Sequence, residues 1–162
     1  MKNSVNNFIL KAYEYLESVT PYEFDCGKIC DKKCCKGSNS DGMLLLPGEE
    51  KLFEHKENFS VYFDDKYNSL AVRCNGNCNR NERPFSCRIF PYFIYFTRDN
   101  EKCTVAPDIR AIDFCPILED KSTVNRKFLR ALRITGKLFS ADDTIKDYLI
   151  NISELITDFN SL

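Results

Sequence analysis

Tryptophan is absent from these 162 residues, methionine occurs twice and histidine once. A catalytic zinc site built on imidazole ligands therefore lacks its material. A Cys–His nucleophile pair would need His55, whose neighbours Glu54, Lys56 and Glu57 make a solvated stretch. An excess of either charge is missing too. The 23 basic residues stand against 24 acidic ones, for a net charge of −1. That excludes nucleic-acid binding by bulk positive charge. No apolar run approaches the roughly 18 residues needed to cross a bilayer, so no membrane partner is expected. Residues 1–7 hold neither an uninterrupted apolar segment nor a small-residue cleavage site. This reads against a secretory signal and for a cytoplasmic location, where thiols stay reduced. Neither a phosphate-binding loop of the Gly-x-x-x-x-Gly-Lys-Ser/Thr type nor a dinucleotide fingerprint occurs.

Cysteine is abundant instead. Nine are present: Cys26, Cys30, Cys34, Cys35, Cys74, Cys78, Cys87, Cys103 and Cys115. Clustered cysteines in a reducing compartment point to metal before they point to bridges, and an odd number fits a disulfide framework poorly. With a single histidine, the expected site is nearly all thiolate.

The first group runs Cys26-x3-Cys30-x3-Cys34-Cys35. On a helix the first three would share a face, because four residues make just over one turn. Gly27 and Gly37 argue for knuckle-like loops instead, and either geometry gathers three or four sulfurs. In the second group, Cys74-x3-Cys78 is followed by Cys87 after eight intervening residues. Asn75, Gly76, Asn77 and Asn79 supply residues that tolerate the tight backbone of a thiolate knuckle. Cys115-Pro116 comes later and alone. Cys103 alternates with Thr104 and Val105 in a predicted strand and reads as a packed residue, since a buried free cysteine behaves as a small hydrophobe. The iron–sulfur spacing of radical S-adenosylmethionine enzymes is not met, because Cys34 falls one residue late.

Positive charge concentrates where the sulfurs are. Lys28, Lys32, Lys33 and Lys36 outweigh Asp25 and Asp31, for +2 over residues 25–36. Arg73, Arg80, Arg83 and Arg88 outweigh Glu82, for +3 over residues 73–88. Four thiolates leave either Zn²⁺ or an oxidised [4Fe–4S] core with surplus negative charge, which cations and amide donors offset.

The expected architecture is α+β, one domain over residues 1–162. A small cysteine-rich, metal-stapled core over residues 22–118 contains a short β-hairpin. It is flanked by an N-terminal helix and a C-terminal helical pair. Val5, Phe8, Ile9, Ala12, Leu16 and Val19 predict a helix over 4–19, closed by Pro21. Strand-like runs lie at 60–63, 70–73, 93–97 and 103–106, the last two joined by the polar link 98–102. Over 123–160, Val124, Phe128, Leu129 and Leu132 line one helix, with Gly136 as its stop. Ser140 with Asp143 suggests the next cap. Ile145, Tyr148, Leu149, Ile152, Leu155, Ile156 and Phe159 line the second helix. That stripe serves packing or a protein partner. Residues 43–46 form an apolar run that turns at Pro47-Gly48. Glu49 and Glu50 then favour a helix dipole, with a catalytic carboxylate pair as the alternative. Asp108, Arg110 and Asp113 either pair with the cluster arginines or lie at the surface.

The stretch Arg83-Pro84-Phe85-Ser86-Cys87-Arg88-Ile89-Phe90-Pro91, together with the cysteine groups and Cys115-Pro116, resembles the YkgJ-type cysteine-cluster family. The full match to Arg-Pro-x-x-Cys-Arg-x-Phe-Pro is the most specific part, and the likeness spans roughly residues 22–118. Cys26, Cys30 and Cys34 are separated by three residues each, where the family pattern has two. The resemblance implies a zinc- or iron-chelating domain. Its ligands would be Cys26, Cys30, Cys34, Cys35, Cys74, Cys78, Cys87 and Cys115, leaving Cys103 over. The cysteine-rich part of flagellin lysine N-methylases is similar to the same family, but no methyl-donor site is recognisable in this chain.

Read physically, Pro84 and Pro91 stiffen the approach to Cys87. Arg83 and Arg88 offset thiolate charge and donate to carbonyls. Phe85, Ile89 and Phe90 shield sulfur from water. The expected function is metal binding, through zinc or an iron–sulfur cluster, with the metal mainly holding the fold. The alternative is an iron–sulfur redox or protein-modification component.

Overall fold

The computed structural model describes residues 5–35, 42–113 and 115–159. Ser4, Lys36 and Gly37, which the sequence reading used, lie outside the described residues.

Helix α1 (Asn7–Leu16) starts where the Asn6 side chain accepts from the Phe8 N–H at 2.9 Å. It buries Ile9, Ala12 and Leu16 at the predicted three/four spacing. The helix is shorter than the predicted 4–19. Ser18, Val19 and Thr20 are poor helix formers ahead of Pro21, and Leu16 is its last residue. A one-turn helix α2 (Gly27–Cys30) follows.

The apolar run 43–46 supplies β1 (Met43–Leu44), which pairs antiparallel with β3 (Ser69–Cys74). β3 also pairs antiparallel with β2 (Phe59–Asp64), Val61 opposite Val72, giving the order β1-β3-β2. Successive β3 residues face opposite ways. Ala71 accordingly joins a large core with Leu44, while Val72 joins a smaller one with Leu45, Phe53 and Phe59.

Past the short helix α3 (Phe85–Ile89), β4 (Tyr92–Thr97) and β5 (Asn100–Pro107) form the expected hairpin. Its link is tighter than predicted. Thr97 pairs with Asn100, so the turn is Arg98-Asp99 and the polar residues 100–102 are strand. Lys102 there is exposed at the start of the strand. Arg98 reaches across to Glu154 at 2.7 Å and to Asn151 at 2.9 Å.

Helices α4 (Arg126–Phe139) and α5 (Asp143–Phe159) cover the hairpin, α4 against β5 and α5 against β4. Gly136 does not stop α4. It lies inside the helix because Cys103 occupies the space its side chain would take; an added Cβ would sit 2.3 Å from the Cys103 sulfur. The cap of α5 is Asp142, whose carboxylate accepts from the Ile145 N–H at 2.9 Å. Ser140 instead donates to the Gly136 carbonyl at the end of α4. Ile145, Leu149, Ile152 and Ile156 are buried, so that stripe is the packing face of α5. Phe128, Leu132 and Phe139 fill the space beneath α4. Among the described residues no helix is long and apolar enough to cross a membrane.

Candidate metal centre

The first cysteine group is half helix and half knuckle. Asp25 accepts from the Gly27 N–H at 3.2 Å and opens α2, which puts Cys26 and Cys30 on one face. Asp31 and Lys32 then take positive φ angles of 52° and 56°, reversing the chain. The Lys32 N–H returns to the Gly27 carbonyl at 2.9 Å. A 3₁₀ turn, Lys33–Cys35, places Cys34 and Cys35 next, with their sulfurs 4.0 Å apart. Cys115 comes from the far side of the sequence. The turns Ile109–Ala111 and Pro116–Leu118 flank it, and its N–H bonds the Ala111 carbonyl at 2.9 Å. Cys26, Cys30, Cys34 and Cys115 line one cavity of ≈ 10 Å³, together with Phe90, Pro91 and Ile117.

The second group starts where β3 ends. Cys74 is the last residue of that strand, and the Asn75 side chain accepts from the Asn77 N–H at 3.0 Å to turn the chain. Gly76 has φ +79°, and a Cβ there would lie 3.6 Å from the Cys35 carbonyl. The loop carrying Cys74 and Cys78 is thus laid against Cys35. Cys87 sits in α3, whose first N–H, from Phe85, is accepted by Glu49 at 2.6 Å.

Electrostatics link the same residues. Burial holds the Cys87 thiol well above its ordinary range, and Cys35, Cys74 and Cys78 raise it further against the pull of Arg83. Cys78 is raised by burial and by Cys74. Burial pushes Cys26 up to about 11, helped by Asp25, Cys30 and Cys115. Cys115 is raised by burial and by Cys30. Cys34 donates to Cys35, which raises Cys34 and lowers Cys35 to about 6, with Arg83 and Lys32 assisting at Cys35. Burial thus holds Cys26, Cys78, Cys87 and Cys115 toward the protonated form, while Cys35 is the one thiol drawn toward thiolate. A bound cation reverses that preference.

The arginines divide the work. Arg83 pairs with Asp25 at 3.4 Å, beside Cys26, and acts electrostatically on Cys35 and Cys78, so one guanidinium serves both cysteine groups. Its Nε is buried without a hydrogen-bond partner. Arg88 is 3% exposed and holds the loop by donating to the Arg83 carbonyl at 2.8 Å and the Asn81 carbonyl at 2.7 Å. Arg80 donates to the Val19 carbonyl, and Arg73 lies over the Tyr62 ring at 3.8 Å. Asp108 is buried and pairs with Arg110 at 2.6 Å rather than with a cluster arginine, while Asp113 is exposed. His55 is exposed, as expected.

Glu49 is the residue that sequence reasoning undervalued. It is fully buried and accepts from Tyr13, from the Leu46 N–H at 2.8 Å and from the Phe85 N–H. Arg88 stacks on the Tyr13 ring at 4.1 Å. Burial pushes the Glu49 carboxyl above its ordinary range, against these donors. Glu50 is not buried beside it, so no carboxylate pair forms. The available signal was position: an acid directly after the apolar run 43–46 is drawn inward with it.

The donor set fits a thiophilic metal, since soft thiolates select zinc, copper(I) or iron–sulfur clusters. As the side chains stand, no three Cys, His, Asp or Glu among the described residues are arranged to hold a metal ion. Backbone placement gathers the sulfurs, and Cys34 and Cys35 touch, but χ1 rotation would have to bring them onto an ion. Cys103 is elsewhere, half-buried against α4. Comparison with family models, with curated proteins and with solved structures found no match.

Proposed function

We propose that the chain is a cysteine-cluster metal-binding protein in which the metal, zinc or iron–sulfur, mainly holds the fold. The observation that supports this most is the sorting of the cysteines. Eight of the nine, drawn from segments up to 89 residues apart, gather around α2, the 74–87 loop and Cys115, while Cys103 is left behind α4. Packing alone gives no reason for thiols to converge. Bound metal would supply a closed set of covalent-strength cross-links between segments that bury little of their own. In this reading Cys26, Cys30, Cys34, Cys35, Cys74, Cys78, Cys87 and Cys115 hold the metal. Arg83 offsets their charge, and Arg88 fixes the loop that presents Cys87.

Elemental analysis of anaerobically purified protein tests the reading. Zinc or iron at about one equivalent per chain or more is expected, and less than about a tenth of an equivalent of both sinks it. A brown protein would move the iron–sulfur redox reading ahead of the structural one, because cluster chemistry carries electrons that zinc does not.

A further inference from the structure

We infer that the eight clustered cysteines form two interleaved four-thiol metal centres, joined through the peptide bond between Cys34 and Cys35. Cys26, Cys30, Cys34 and Cys115 make the first, and Cys35, Cys74, Cys78 and Cys87 the second. This rests on the thiolate-metal reading above and adds which thiols act together.

The division follows from placement. The cavity beside Phe90, Pro91 and Ile117 is lined by the first four cysteines and by none of the second four. Cys26 and Cys115 pack against the large core, whereas Cys74 and Cys78 pack against the small core around Phe53 and Phe59. Cys35 belongs with the latter, because its backbone lies against the Cys74–Cys78 loop: a Cβ added at Gly76 would sit 3.6 Å from the Cys35 carbonyl. The reversal at Asp31 and Lys32 sends the next turn across the boundary, so Cys34 lines the cavity while the Cys35 backbone lies against the loop. Donor arithmetic agrees. Closed structural sites take about four thiolates each, so eight are too many for one ion and suffice for two. Arg83 stands where two anionic centres need a shared cation: it pairs with Asp25, next to Cys26, at 3.4 Å, and acts electrostatically on Cys78.

Neither centre can be assembled from one contiguous segment. The first spans Cys26 to Cys115 and the second Cys35 to Cys87. Each therefore closes a long loop, and filling one fixes the neighbouring ligand of the other.

The test is a titration of cobalt(II) alone into the metal-free full chain under anaerobic reducing conditions. Thiolate-to-cobalt absorption reports four-sulfur coordination. Wild type should saturate at about two equivalents, and Cys30→Ser and Cys78→Ser at about one each. The double variant Cys26→Ser/Cys30→Ser should keep one four-sulfur site, whereas Cys30→Ser/Cys78→Ser should keep none. Hydrogen exchange locates the loss. Cys30→Ser should deprotect 26–34 and 109–118 and spare 74–90, and Cys78→Ser should do the reverse. Cys115→Ser and Cys74→Ser repeat each arm should a first variant fold poorly. Saturation of wild type at one equivalent overturns the division and leaves the metal reading standing. So does loss of both sites in Cys26→Ser/Cys30→Ser. No thiolate-bound cobalt at all overturns both.

Discussion

Around the β4–β5 hairpin, Phe128, Leu132, Phe139, Ile145 and Ile156 are each 0% exposed, and Phe96 is 1% exposed. At the cysteine end, α2 and the turns Lys33–Cys35 and Arg80–Glu82 bury no residue. One half of the molecule is ordered by apolar burial, at about 1.5–3 kcal/mol for each large side chain. The other must offset a backbone ordering cost of about 1–2 kcal/mol per residue with little burial of its own. Its visible supports are few: the Arg88 bonds to two carbonyls, the Arg83–Asp25 pair and the Glu49 cap on α3. On the proposed reading, thiol-bound metal would supply the support that this end lacks.

Removing metal should break the comparison most. A strong chelator under reducing conditions is expected to cost the cysteine end on the order of 10 kcal/mol, the scale of a structural thiolate site. Amide exchange over 26–35, 74–90 and 109–118 should rise by orders of magnitude, while α4 and α5 keep partial protection. Equal protection in the metal-free and metal-loaded forms would mean that the metal serves activity rather than fold.

The reverse experiment attacks the body. Phe128→Ala should cost about 3–5 kcal/mol, the usual penalty for emptying a fully buried aromatic site. Urea unfolding measures it. Metal per folded chain should stay the same, since Phe128 packs against Tyr92 and lies in the body. A large fall in metal at folding-permissive temperature would show that the two halves are not separately held.

This contrast also sets how much was legible beforehand. Burial by period carried the body: the runs at 60–63, 70–73, 93–97 and 103–106 fall within β2 to β5, and the α5 stripe lies in the core. Boundaries failed where a tertiary contact outranks local propensity, as at Gly136, whose place in a helix depends on the Cys103 sulfur. The cysteine groups were visible from spacing. The chain reversal that places Cys34 and Cys35 was not, because it depends on two left-handed residues, Asp31 and Lys32, that carry no glycine signal. Glu49 was hidden for a related reason: three donors from Tyr13, Leu46 and Phe85 meet only in the folded chain.

Glu49 joins the two halves, because its carboxylate holds both α1 and the start of α3. Glu49→Gln puts an amide group among three donors and should cost about 1–3 kcal/mol, the penalty of leaving a buried donor unmatched. The effect should depend on pH. Burial raises the carboxyl of the folded state above its ordinary value. Its stabilising contribution is therefore complete below the ordinary carboxylate range and is lost as pH rises through the folded value. The gap in urea midpoint between wild type and variant should narrow as pH rises above the ordinary carboxylate range. A gap that widened with pH would mean that the folded carboxyl is held ionised.

The smallest effect is expected at Cys103, the thiol that belongs to the body. Cys103→Ser should leave metal content unchanged, while Cys87→Ser should lower it. Loss of metal on replacing Cys103 alone would overturn the separation of this thiol from the other eight. Its role is better read through Gly136. Gly136→Ala gains about 1 kcal/mol of helix propensity. It also forces a methyl to 2.3 Å from the Cys103 sulfur, with Ile94 at 3.1 Å behind it, in a packed interior where such crowding costs about 1–3 kcal/mol. The single variant should therefore be neutral to destabilised by about 2 kcal/mol. In a Cys103→Ala background the sulfur is gone, and the propensity gain should show as a higher unfolding midpoint. The two substitutions would then be non-additive by about 0.5–3 kcal/mol, as residues in direct contact are. Additive effects would mean that α4 shifts freely to admit the methyl, and that Cys103 is not what keeps residue 136 a glycine.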